Sequence, residues 1–206
     1  MRMRSCFWAV AVLCAVTATQ PLRAEEPVFS PQAFQVFGGL SDDGQSSGFL
    51  RKHKNLGALA HTTVAFDGDY EAGTIIVRTG ERKLYYILGN GQAIQYYVGV
   101  GREGFEWSGT AHVSRKAEWP DWRPPQGMID READRGHYIP SFMPGGPDNP
   151  LGARAIYIGD TEYRIHGTTQ PWSIGEAMSS GCIRMMNEEV IDLYNRVQIG
   201  ALVVVE

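Results

Sequence analysis

The apolar positions of this chain fall into short runs separated by glycine-rich turns. Thr74-Ile75-Ile76-Val77-Arg78-Thr79 is a β-branched run, Gly80-Glu81 turns it, and Lys83-Leu84-Tyr85-Tyr86-Ile87-Leu88 follows. Gly89-Asn90-Gly91 then leads into Ala93-Ile94-Gln95-Tyr96-Tyr97-Val98-Gly99-Val100. This spacing predicts three strands in a meander with a tight hairpin between the last two. Thr110-Ala111-His112-Val113-Ser114-Arg115 is a further strand, and Ala155–Ile158 with Glu162–His166 reads as a hairpin about the Gly159-Asp160 turn. Near the end, Val190, Leu193, Tyr194 and Val197 recur at helical spacing, with Asn187 as the expected N-cap and Glu188 and Glu189 in the first turn. Gly200 stops that helix, and Ala201–Val205 reads as a buried closing strand.

Other stretches lack such periodicity. Between residues 118 and 150 the chain is irregular but holds Trp119, Trp122, Tyr138, Phe142 and several prolines, with a short helix expected around Ile129–Arg135. An ordered excursion of this length is expected to serve as a lid or cleft wall. Ser173 is expected to cap a turn of helix running through Ile174 and Ala177. From residue 25 to 71 turn formers are dense and no period holds, which reads as an N-terminal extension or linker, with local packing around Phe34, Val36 and Phe37. Its basic cluster Arg51-Lys52-His53-Lys54 reads as a solvated face. The pattern therefore predicts a mainly β domain over residues 72–206.

The N-terminus changes the picture of where this domain works. Arg2 and Arg4 precede an apolar run from Cys6 to about Val16, and a polar stretch ends at Ala24. Residues 1–24 read as a secretory signal peptide, since the run is short for a transmembrane helix of roughly twenty residues, with an uncleaved anchor as the alternative. Leu13, a bulky side chain before Cys14, argues against lipid attachment there. Cleavage would remove Arg2, Arg4 and Arg23 and no acid, leaving 16 basic against 23 acidic residues. So acidic a chain is a poor partner for nucleic acid. It would also remove Cys6 and Cys14, leaving Cys182 as the one thiol of an exported protein. Such a thiol is either an inert buried residue or a functional one.

The surroundings of Cys182 favour function. A thiol attacks a carbonyl as thiolate, so it needs a base, and His166 lies sixteen residues upstream at an expected strand end. No acid lies in the motif to orient the ring, so a backbone carbonyl near Gly167 or Thr168 is expected to do so. Gly181 permits a sharp turn that could aim its own amide and that of Cys182 at an oxyanion. Arg184, at i+2, shares a strand face with Cys182, and its fork suits a carboxylate; a structural ion pair is the alternative. His137 and Tyr138, in the excursion, are candidates to touch substrate, with a surface histidine as the bland alternative. A zinc site from His166, Cys182 and His137 lacks any compact ligand spacing, so no metal and no cofactor is expected.

These residues carry a resemblance. His166-Gly167-Thr168, a spacer with Ile174-Gly175, and Ser179-Ser180-Gly181-Cys182-Ile183-Arg184-Met185 resemble the L,D-transpeptidase (YkuD-type) catalytic domain, closest to its ErfK/YbiS-like periplasmic branch. Gly146-Pro147-Asp148-Asn149-Pro150-Leu151-Gly152 and Trp122-Arg123-Pro124-Pro125 extend the match, which spans about Gly73 to Glu206. The resemblance implies a mainly β, sandwich-like fold with one or two short helices. It implies a cysteine acyltransferase that forms a thioester with a peptidoglycan stem tetrapeptide, releases D-alanine and passes the acyl group to an amine. Cys182 and His166 would be catalytic, supported by Gly181 and Gly167, with Arg184, Ser180 and Thr168 toward substrate. The acceptor would be a second stem, or an outer-membrane lipoprotein or porin; with water the enzyme would be a carboxypeptidase. Ser180 stands where many members have a second histidine, so no role of that histidine carries over. A water-only cysteine hydrolase and a non-enzymatic cell-wall binding module are the competing readings.

Overall fold

The computed structural model describes residues 60–206. The expected signal peptide and the extension up to residue 59 lie outside the described residues. Within them the fold is mainly β with two α-helices, built on one nine-stranded sheet and a two-stranded piece.

The β-branched run becomes β2, Ile75–Arg78, with Ile75, Ile76 and Val77 fully buried. A strand apolar on both faces belongs in a sheet interior, and β2 lies between β3 (Lys83–Gly89) and the closing strand β11 (Leu202–Val205), parallel to the latter. β3 turns into β4 (Gln92–Tyr97) through Asn90 and Gly91, whose φ of 52° and 69° are what a two-residue hairpin of this type requires. β1, Thr62–Ala65, pairs with β4, so the sheet begins inside the stretch read above as linker. The pleat sends Ile75, Leu84, Ile94 and Tyr96 to one cluster and Ile76, Tyr85, Ile87 and Ala93 to another with Phe66.

The long strand β6, Gly109–Glu118, joins the two halves. Its first residues pair with β11, and from Val113 onward it pairs with β7 (Arg154–Ile158), with a register shift at Ser114 where the strand can change direction. β7 hairpins into β8 (Arg164–His166), and β8 pairs in parallel with β10 (Ile183–Arg184). Ile156, Ile165, Ile183 and Met185 share the main core with the meander and with Val190, Leu193 and Val197 of the C-terminal helix, Asn187–Arg196. Burying each such aliphatic side chain contributes about 1.5–3 kcal/mol. The strands β5 (Val100–Gly101) and β9 (Ala177–Ser179) complete the framework beside β10.

Three expectations need correction. Met186, not Asn187, is the N-cap of the C-terminal helix, and no side chain caps it. The turn after Gln170 is a 3-10 helix over Pro171–Ser173, and Ala177 is in β9; Pro171 opens the turn while Gly175, at φ 84°, stops it. The excursion helix is Gln126–Asp134, named α1, which makes the C-terminal helix α2. Around α1 the excursion is anchored by a small core of Trp122, Ile139, Met143 and Leu151 and by the Trp122–Met143 bridge. Among the described residues, no helix is long and apolar enough to cross a membrane.

Candidate active site

The parallel pairing of β8 and β10 sets the site. Ile183 is level with Ile165 and Arg184 with His166, so Cys182, one residue before β10, comes beside Arg164. Cys182, His166, Arg184 and Ser180 all line one cavity of about 780 Å3. The opposite wall is the excursion, through Trp122, Pro125, Met128 and Leu151 among others, which makes it a cleft wall.

His166 is buried, with 5% of its surface exposed. Its Nδ1–H donates to the Gly167 carbonyl at 2.6 Å, which assigns the proton to Nδ1 and leaves the Nε2 lone pair as the basic position. Burial first, then the Arg184 and Arg164 cations, hold the imidazole well below its ordinary value, down to about 3, against a smaller opposing pull from the Gly167 and Leu151 carbonyls. Cys182 is half-buried. Burial pushes its thiol up, and the Arg164 guanidinium and backbone amide, with Arg184, work against that. Both shifts favour the neutral forms of these two groups, which line the same cavity, and the Cys182 Sγ lies 3.9 Å from the Glu162 carbonyl.

The turn into the cysteine is built by Ser179. Its Oγ accepts the Gly181 amide at 3.1 Å and donates to the Cys182 carbonyl. The Gly181 amide is thereby engaged and does not complete the expected oxyanion pair. Among the described residues, no hydrogen bond occupies the Cys182 amide. Gly181 has φ of 106°, and a Cβ there would strike the Tyr163 ring and lie 2.9 Å from the Phe105 carbonyl. Stacking on Trp107, with centroids 5.4 Å apart, holds Tyr163 in place.

The loop carrying Gly167 is fixed by Asn187. Its Oδ1 accepts the Ala153 amide at 3.0 Å, and its Nδ2 donates to the Thr168 carbonyl at 3.0 Å. That oxygen occupies the space where a Cβ of Gly152 or Gly167 would stand. Asn187 thus braces the loop one peptide beyond the Gly167 carbonyl that orients His166. Thr168 is itself buried, its hydroxyl accepting the Gln170 amide at 3.0 Å, and it does not line the cavity. Nor do His137 and Tyr138: His137 is held by Glu132 at 3.1 Å, and Tyr138 is 81% exposed. Among the described residues Arg184 has no ion-pair partner, and its Nη1 donates to Gln170 Oε1 at 3.3 Å. Among the described residues, no three His, Cys, Asp or Glu side chains are grouped to hold a metal.

The profile of the YkuD L,D-transpeptidase catalytic domain matches residues 72–205. The chain belongs to this family. Two curated members from Escherichia coli (strain K12) show the degree of likeness. The probable L,D-transpeptidase ErfK/SrfK is 40% identical over 134 residues, 63% of this chain and 42% of that protein. The probable L,D-transpeptidase YbiS is 37% identical, over 63% of this chain and 43% of its own length. The chain thus matches less than half the length of these relatives. The catalytic domain of the E. faecium L,D-transpeptidase, solved by NMR, shares the fold with a TM-score of 0.51 at 20% identity, covering 68% of this chain and 100% of that one.

The sequence reading missed four residues of this L,D-transpeptidase domain that bear on the site. Arg164 was legible in principle, since i and i+2 on β8 share a face with His166. Asn187 was assigned to the wrong partner. Arg102 and Arg131 come from β5's end and from α1, far from the motif, and only tertiary folding brings them to the cavity.

Proposed function

We propose that the chain is a cysteine L,D-transpeptidase of peptidoglycan, exported to the periplasm by residues 1–24. The observation that carries this reading is the shared cavity of Cys182, His166 and Arg184, set by the β8–β10 pairing. The carboxylate of the departing D-alanine docks on Arg184. That neutralises one of the two cations holding the imidazole down, so His166 becomes a better base as substrate arrives. Nε2 takes the thiol proton while Sγ attacks the carbonyl between the third and fourth stem residues. The Cys182 amide supports the oxyanion. The imidazolium returns the proton to the amine of D-alanine, which leaves, and the acyl group stays on Cys182 as a thioester. An acceptor amine then attacks, giving its proton to His166, and the thiol is restored. A second stem, or an outer-membrane lipoprotein or porin, supplies that amine.

Incubation of the protein with tetrapeptide-containing muropeptides tests the reading. Free D-alanine and cross-linked dimers are expected. Tripeptide without dimer or protein conjugate supports hydrolysis instead. Sacculus binding with no product, unchanged in Cys182→Ser, would make the chain a binding module.

A further inference from the structure

The cavity is lined by four arginines as well as the carboxylates of Glu132, Asp160 and Glu162. Besides Arg184 it is lined by Arg102, Arg131 and Arg164, all half-buried. Among the described residues, none of these four is in an ion pair. The nearby carboxylate of α1, Glu132, is already taken by Arg135 at 2.8 Å and His137 at 3.1 Å. The other acids of the rim, Asp160 and Glu162, sit on the exposed β7–β8 turn.

Two of the arginines form a second station. Arg102 is anchored by its amide to the Ser179 carbonyl at 3.0 Å, next to the cysteine turn. Its guanidinium lies 4.2 Å from the centre of the Phe105 ring, and that of Arg131 lies 5.0 Å from the same ring. The ring face offers each cation a weak attraction, yet two like charges share it. Arg102 is held below its ordinary value by burial and then by Arg135 and Arg131, and it depresses Arg184 in turn. Arg184 thus neighbours Cys182 and Arg102, and Arg102 neighbours Arg131 across the Phe105 ring. Glu132 lines the same cavity and partly offsets the repulsion between Arg102 and Arg131, but it does not pair with either guanidinium, and two unpaired guanidinium forks sharing one ring fit a carboxylate.

We infer that the acyl donor carries a second carboxylate, remote from the scissile bond, and that Arg102 and Arg131 bind it while Arg184 takes the terminal one. This rests on the transpeptidase reading and deepens it: the substrate class is a stem tetrapeptide with free non-terminal carboxylates, and amidation of those groups marks a poor donor.

The test compares two synthetic tetrapeptides, one with its non-terminal carboxylates free and one with them converted to primary amides, by the rate of D-alanine release. The wild-type protein is expected to favour the free acid by about tenfold or more in kcat/KM. Arg102→Ala and Arg131→Ala should bring that ratio toward one, and Arg102→Lys should retain part of it. Equal use of both donors by the wild-type protein overturns the inference without help from any variant. A preference that survives in both alanine variants overturns the assignment to these arginines. If neither donor releases D-alanine, the transpeptidase reading itself falls.

Discussion

Acidification should weaken this fold through one buried imidazole. His166 is held neutral in the folded state down to about 3, whereas in the unfolded chain it takes up a proton below about 6.5. Between those values the unfolded state binds more protons, so stability falls as pH falls. From about pH 7 to about pH 4 the linkage amounts to about 3 kcal/mol for this residue alone, a large share of the 5–15 kcal/mol typical of a domain. Other groups titrate over the same range, so the informative quantity is a difference of differences. Urea unfolding of the wild-type protein and of His166→Gln at both pH values supplies it. The wild-type protein should lose about 3 kcal/mol more than the variant, whose side chain does not titrate. Equal losses in the two proteins would refute the claim that His166 is buried and neutral.

Three further outcomes follow from the site's geometry. Gly181→Ala places a Cβ at φ 106° against Tyr163 and the Phe105 carbonyl, and should lower stability by about 2–4 kcal/mol in urea unfolding. Asn187→Ala removes the braces to Ala153 and Thr168 and should lower stability by about 2–4 kcal/mol, while Asn187→Asp, which keeps only the acceptor, should lose less than the alanine variant but more than wild type. Alkylation of Cys182 by iodoacetamide should accelerate only as pH rises above the ordinary thiol range, with no step near pH 6.5; a plateau between about pH 5 and 8 would mean a resting ion pair.

The parts of the fold set by local chemistry were legible. The Asn90-Gly91 hairpin, the β-branched run of β2 and the Val190, Leu193 and Val197 stripe each announce their element through a period or a turn residue. Where tertiary partners outweigh local pattern, the reading failed for identifiable reasons. Asn187 before two glutamates looks like a cap, but its amide finds the Ala153 and Thr168 backbone instead. β1 shows no apolar alternation because it is an edge strand with mostly exposed residues. His137 looked like a ligand for substrate, yet Glu132, five residues away, claims it. That Cys182, His166 and Arg184 share one cavity was legible because the motif is compact and the β8–β10 pairing keeps it so. The place of Arg102 and Arg131 was not, since only the tertiary fold brings the end of β5 and α1 to that cavity.

The central claim is that Cys182 carries the acyl group, and intact-mass spectrometry of the protein mixed with stem tetrapeptide tests it most directly. The account predicts an added mass equal to the tetrapeptide less D-alanine, present in the wild-type protein, lost with hydroxylamine and missing in Cys182→Ala. An adduct that persists in Cys182→Ala would contradict it.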